Sequence, residues 1–158
     1  MALPEVQLKS VRLHAVTESQ CVEHILDEQA AGRGGWVVTP NLDHLRRLVH
    51  DETFADLCRG ADLMVADGMP LVWASRLQRT PLPERVAGSN LIWSVCEGAA
   101  RTGRSVFLLG GNEGTAERAA DVLVGRYPGL RIAGIQCPPL GFERDEQQSR
   151  AITTALTE

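Results

Sequence analysis

The chain has 158 residues, 44% apolar and 23% charged, the size and composition of one globular domain able to close a hydrophobic core. That balance excludes a disordered or fibrous chain, and 16 basic against 20 acidic residues leave a net charge of -4, with no electrostatic footprint for DNA or RNA. The 4 cysteines are widely separated with no C-x-x-C pair, and the 4 histidines lack ligand spacing, so neither a disulfide framework nor a metal site is expected.

In chain order, Met1 to Val6 has neither the basic start nor the apolar run of a signal peptide. Val6 to Leu13 alternates apolar and polar residues, the pattern of a half-buried strand. Thr17 to Gln20 is a capping box opening a helix with Val22, Ile25, Leu26 and Ala30 inward and Gly32 as its stop. Trp36 to Val38 reads as a short buried strand running into Thr39-Pro40-Asn41, with Asn41 the N-cap of a helix through Val49. A helix over Glu52 to Arg59 and a buried strand over Leu63 to Ala66 follow. Asp67-Gly68-Met69-Pro70 then opens a helix, Pro70 suiting its first turn, and Thr80 to Glu84 breaks it. Gly88-Ser89-Asn90 starts another, with Leu91, Ile92, Val95 and Ala99 inward.

Val106 to Leu109 is a strand, turned by Gly110 to Gly114 into a helix with Ala116, Ala119, Ala120, Leu123 and Val124 inward. Leu130 to Ile135 is the next strand, Pro138 to Phe142 a loop, and a last helix starts near Arg144. Strands alternating with helices imply βαβ units, and hence an α/β, Rossmann-like, mostly parallel sheet with helices on both faces in one domain over residues 1–158. No stretch approaches the roughly 18 apolar residues that cross a bilayer. A cytoplasmic chain is expected, with peripheral membrane contact left open.

Ligands of open α/β sheets bind at the carboxyl ends of strands. Four such ends here are polar or glycine-rich: Thr39 to Asn41, Asp67-Gly68, Gly110 to Thr115 and Gln136 to Phe142. Gly110, Gly111 and Gly114 would let the backbone approach a pyrophosphate, and Thr115 opens a helix whose N–H groups are free to bind it. The spacing is neither a dinucleotide fingerprint nor a Walker A loop, so a plain tight turn fits as well. Gln136 is a neutral amide where a nicotinamide enzyme has an acid for the ribose. That disfavours an NAD-dependent oxidoreductase and leaves nucleotide-diphosphate binding open.

Asp67 follows an apolar strand, with Gly68 leaving space beside it. Its carboxylate either takes a proton from an attacking hydroxyl or caps the helix before Pro70. Arg85, in the loop Pro81 to Gly88, either holds phosphate bidentately or pairs with Glu84 or another acid. Thr39 and Asn41 either bind sugar hydroxyls or organise a helix start. Trp36, Trp73 and Trp93 each sit in an apolar run and read as core.

These pieces, taken in order, resemble the WecG/TagA/CpsF family of bacterial glycosyltransferases. The resemblance rests on Thr39-Pro40-Asn41, Ala61-Asp62-Leu63 leading to Asp67-Gly68, Glu84 to Leu91, Val106 to Gly111, Tyr127 to Leu130 and Pro138 to Phe142. It implies inverting, metal-independent transfer of an N-acetylmannosamine-type sugar from a UDP donor to a lipid-diphosphate-linked N-acetylglucosamine, building cell-surface polymers. No further cofactor is implied. By the same resemblance Asp67 is the base that activates the acceptor hydroxyl, Thr39 and Asn41 line its pocket, and Arg85 engages the acceptor diphosphate.

Asn90 stands where the family commonly has Asp, so no acid or base role is assigned to it. Relatives continue into a strand bearing Gly-x-Pro-x-Gln-Glu and a membrane-docking appendage, neither of which is in these 158 residues. A sheet ending there would leave an unpaired edge, an expectation of self-association or marginal stability. A non-catalytic UDP-sugar-binding domain is the alternative to the enzyme.

Overall fold

The structure is a computed structural model in which residues 3–157 are described. The chain forms two compact units, Met1–Ser94 and Val95–Glu158.

The first unit opens with β1 (Glu5–Leu8) and β2 (Val11–His14), an antiparallel pair with Leu8 opposite Val11. The single strand expected over Val6 to Leu13 is therefore a hairpin, turning at Lys9-Ser10 with Lys9 at φ 53°. The reason lies in side-chain parity. Val6 and Leu8 are even-numbered and Val11 and Leu13 odd-numbered, so one straight strand would place the two pairs on opposite faces. Folding back brings all four into the core, where each is buried.

Next come α1 (Glu18–Ala30), β3 (Val37–Val38), α2 (Leu42–His50), α3 (Glu52–Arg59), β4 (Leu63–Met64) and α4 (Met69–Leu77). The capping box of α1 forms as read, Thr17 accepting from the Gln20 N–H and the Gln20 side chain from that of Thr17. A second long-range cap supports it, because Glu84 Oε1 accepts the Glu18 N–H at 2.6 Å. At the other end, the N–H groups of Gly32 and Arg33 close back onto Gln29 and Glu28.

β3 and β4 pair in parallel, Val37 with Leu63 and Val38 with Met64. On the other side of β4, the Met64 N–H donates to His14 Nδ1 at 3.0 Å. Burial lowers the pKa of His14 below its ordinary 6.5, against the opposing pull of the Glu5 carboxylate. The core gathers Val6, Leu8, Val11, Leu13, Leu48, Met64, Ala66 and Leu71. Each fully buried leucine there contributes about 2 kcal/mol of apolar burial.

Helix α5 (Gly88–Thr102) begins in the first unit and ends in the second. The second unit continues with β5 (Ser105–Leu109), α6 (Thr115–Arg126), β6 (Arg131–Gln136), a 3-10 turn at Phe142–Arg144 and α7 (Glu146–Thr157). β5 and β6 are parallel, with a register shift between Val106 and Phe107. Phe107 lies opposite Gly134, so closely that a Cβ at 134 would meet its ring at 2.5 Å. Cys96, Ala99, Leu108, Ala116, Ala120, Leu123 and Leu130 make this unit's core.

The α/β class and the parallel strand pairs follow the expected pattern. Several side chains do not. Trp36, Trp73 and Trp93, read as core, are all exposed, as are Ile92 and Val124. An apolar run cannot say which residue of a helix faces outward, and on α5 it is Leu91, Cys96 and Ala99 that are buried. Trp36 instead sits at the edge of its strand, donating through Nε1 to the Gly60 carbonyl at 2.7 Å. Val37 and Val38 are half-buried rather than buried.

Candidate active site

In the first unit the pairing of β3 and β4 continues beyond the strands themselves. The Val65 N–H donates to Val38 O at 3.0 Å, and the Asp67 N–H to Pro40 O at 2.9 Å. This ladder sets Thr39-Pro40-Asn41 beside Asp67 at the carboxyl ends of two parallel strands. A third segment joins them, because the Val86 N–H donates to Ala66 O at 2.9 Å. That bond carries Arg85 over the end of β4, with its Nη1 3.6 Å from Asp67 Oδ1. Thr39 lies against the start of α5, where a Cβ on residue 88 would come within 3.0 Å of its hydroxyl. Glycine at position 88 is what leaves that hydroxyl its space.

The local alternatives for these residues now separate. Asp67 does not cap α4: Gly68, at φ 143°, is the N-cap, and the helix has no side-chain cap bond. Its carboxylate is partly exposed and faces Arg85. Arg85 does not pair with Glu84, whose carboxylate serves the N-terminus of α1. Asn41 does organise a helix, its Oδ1 accepting the His44 N–H at 3.0 Å while its own N–H donates to His44 Nδ1 at 3.4 Å. Its side-chain NH2 donors are outside that cap. The backbone ladder thus brings residues 39–41, Asp67 and Arg85 to one strand end, with a carboxylate and a guanidinium side by side.

The second unit repeats the arrangement of a parallel pair with polar loops at its carboxyl end. Leu109 pairs with Gln136, and the Gly110 N–H donates to Gln136 O at 2.9 Å. Gly110 and Gly111 have φ of 105° and 84°, conformations open to glycine but costly for other residues. They border a cavity of about 560 Å³ shared with Asn112, Glu113, Cys137 and residues 138–143, so that two carboxylates, Glu113 and Glu143, also line it. Gly114, Thr115 and Gln136 do not line that cavity.

Gly114 is instead the N-cap of α6, which carries no side-chain cap. Thr115 Oγ1 accepts from Arg118 at 3.3 Å. The buried Oε1 of Gln136 has no hydrogen-bond partner among the described residues, a cost that a bound donor would remove.

Sequence reasoning missed three contributors. Arg118, whose guanidinium stands near Gly114 and Thr115, is signalled only by its place in the first turn of α6. Glu84 and Gly88 act through partners 66 and 49 positions away, at Glu18 and Thr39; no short motif announces such contacts.

Among known proteins, residues 6–157 match the glycosyl transferase WecG/TagA/CpsF family. An N-acetylglucosaminyldiphosphoundecaprenol N-acetyl-beta-D-mannosaminyltransferase of Bacillus spizizenii is 25% identical over 116 residues, covering 73% of this chain and 44% of the relative. A protein of the same name from Staphylococcus aureus is 31% identical over 98 residues, covering 62% of this chain and 39% of the relative. The chain spans less than half the length of these curated relatives. The family match extends through both compact units, and it carries the assignment: the chain belongs to the glycosyl transferase WecG/TagA/CpsF family.

Proposed function

We propose that the chain transfers an N-acetylmannosamine-type sugar from a UDP donor to a lipid-diphosphate-linked N-acetylglucosamine, with inversion and without a metal ion, in the synthesis of a cell-surface polysaccharide or teichoic acid. The observation that carries this reading is the meeting of Asp67 and Arg85, 3.6 Å apart beside Thr39 and Asn41. An inverting attack by a diphosphate-linked acceptor needs a base for the proton of the attacking hydroxyl and a cation to hold the acceptor's own diphosphate in place. The two residues supply one of each.

In this mechanism the acceptor hydroxyl attacks the anomeric carbon of the donor sugar, opposite the diphosphate. Asp67 takes the hydroxyl proton as the new C–O bond forms. The bond from the anomeric carbon to the donor phosphate oxygen breaks, and UDP departs with its electron pair. Arg85 has five N–H donors in a planar fork, enough to hold an acceptor phosphate oxygen while keeping Asp67 oriented. Thr39 and the NH2 of Asn41 take sugar hydroxyls. Within the second unit, Gly110, Gly111, Gly114 and Thr115 are assigned to binding a nucleotide diphosphate, and Gln136 to the nucleotide, whose N–H or hydroxyl would satisfy its orphaned oxygen.

The names of the relatives, which specify an N-acetylmannosaminyl donor group and a diphosphoundecaprenol-linked acceptor, support the same substrates. No helix among the described residues is long and apolar enough to cross a membrane. From the diphosphoundecaprenol-linked acceptor in the relatives' names, we assign the chain to the cytoplasmic side, meeting such an acceptor at the inner face of the plasma membrane. The test is transfer from UDP-N-acetylmannosamine to a short-chain lipid-diphosphate-N-acetylglucosamine by wild type and Asp67→Asn. Transfer by the wild type alone supports the reading. Equal transfer by both removes Asp67 as base, and UDP binding with no wild-type transfer leaves a sugar-nucleotide-binding module.

A further inference from the structure

The exposed face of α4 has no place in the chemistry above. Its inner side buries Leu71, Val72 and Ser75. On its outer side Met69, Trp73 and Leu77 recur at i, i+4 and i+8, and they are 38%, 59% and 88% exposed. Such spacing aligns the three along one face over about 12 Å of helix. Scattered surface apolars need no explanation, but an aligned row of Met, Trp and Leu does. The helix itself carries charge of one sign: Arg76 is the only charged residue of α4, and Arg79 follows two residues after its end. Neither forms an ion pair among the described residues. The helix starts two residues after Asp67, so whatever covers this face lies one element from the proposed base.

We propose that this face rests on an anionic lipid bilayer, with Trp73 and Leu77 in the headgroup and acyl boundary and Arg76 and Arg79 on lipid phosphates. A tryptophan with an apolar body and a polar N–H, flanked by cations, suits that boundary. A second copy is the poorer occupant. Two-fold pairing of this face would set arginines against arginines with no acid on the helix to meet them. Three side chains also fall well short of the roughly 800 Å² per partner of a stable interface. The inference rests on the lipid-linked acceptor proposed above, since a base two residues before a membrane-lying helix is placed to meet a hydroxyl held near the surface.

The experiment is co-flotation with phosphatidylglycerol–phosphatidylcholine vesicles and with phosphatidylcholine vesicles alone, on wild type, the Trp73→Ser/Leu77→Ser double variant and the Arg76→Gln/Arg79→Gln double variant. Wild type should float with the anionic vesicles, and each double variant should bind them at least about tenfold more weakly. Brominated lipid should quench wild-type fluorescence and quench Trp73→Phe less, although that variant still floats. Transfer to a water-soluble acceptor analogue should be unchanged in all variants.

Undiminished flotation of both double variants, or no flotation of wild type, overturns the proposal. So does a wild-type dimer that Trp73→Ser/Leu77→Ser converts to monomer, which would make a second copy the occupant. Flotation without any transfer would remove the function and leave this surface; transfer without flotation would do the reverse.

Discussion

Arg85 Nη1 stands 3.6 Å from Asp67 Oδ1, and what joins them is a backbone bond between their neighbours, from the Val86 N–H to the Ala66 carbonyl. Both side chains remain accessible to solvent, so the pair itself adds little stability. Its value lies in geometry. The carboxylate that would accept a proton and the guanidinium that would meet a phosphate are delivered to the same strand end by main-chain hydrogen bonds that substitution of either side chain leaves in place.

Replacing Arg85 should therefore alter function more than folding. Arg85→Ala is expected to lower kcat/KM for the lipid-linked acceptor by about tenfold to a hundredfold, the worth of a lost charge-assisted contact. UDP affinity and the melting temperature should stay near wild type. Arg85→Lys should recover only part of the loss, since an ammonium keeps the charge but not the fork. Initial rates with varied acceptor, beside calorimetric titration of UDP, make the comparison.

Glu84, next in sequence, should behave in the opposite way. Its carboxylate caps α1 at the Glu18 N–H, 2.6 Å away. Glu84→Ala should cost about 1 kcal/mol of stability, as lost N-terminal caps do, without changing the chemistry at Asp67. Urea unfolding followed by circular dichroism measures this, and Thr17→Ala serves as the local comparison.

Gly134 lies beneath the Phe107 ring, where an added Cβ would meet it at 2.5 Å. Gly134→Ala should destabilise by about 1–3 kcal/mol through overpacking. Phe107→Leu should relieve part of that cost when the two changes are combined, so a double-mutant cycle will show coupling.

His14 predicts a pH dependence. Its Nδ1 accepts the Met64 N–H, and burial lowers its pKa from 6.5. Glu5 works against this shift, while Arg12 and His24 add to it. The unfolded chain then takes up the proton first as pH falls. The stability due to neutral His14 is present above about pH 6.5 and is lost as pH drops through the lower folded value. Urea midpoints between about pH 8 and pH 5 should fall for wild type and fall less for His14→Gln.

Much of this was legible in the sequence where the determining physics is local. The Thr17 box, the Asn41 cap and the glycine turn after Leu109 each depend on a few consecutive residues, and each forms where expected. The strand ends carrying Thr39 and Asp67 were legible too, because a short apolar run halted by polar residues has few other readings. What escaped depends on partners distant in the chain. The outward turn of Trp73, the cap from Glu84 and the pairing of Arg85 with Asp67 follow from packing that no local pattern encodes. The Lys9-Ser10 hairpin is different: its switch in apolar parity is itself a local pattern in the sequence.

The proposed sugar transfer depends above all on Asp67 acting as its base. The most direct measurement is the single-turnover rate from UDP-N-acetylmannosamine to a lipid-diphosphate-N-acetylglucosamine analogue, wild type against Asp67→Asn, with UDP affinity measured on the same samples. The variant should be slower by about 10²- to 10⁴-fold, with UDP binding and the melting temperature unchanged. Equal rates in the two proteins would contradict that role for Asp67.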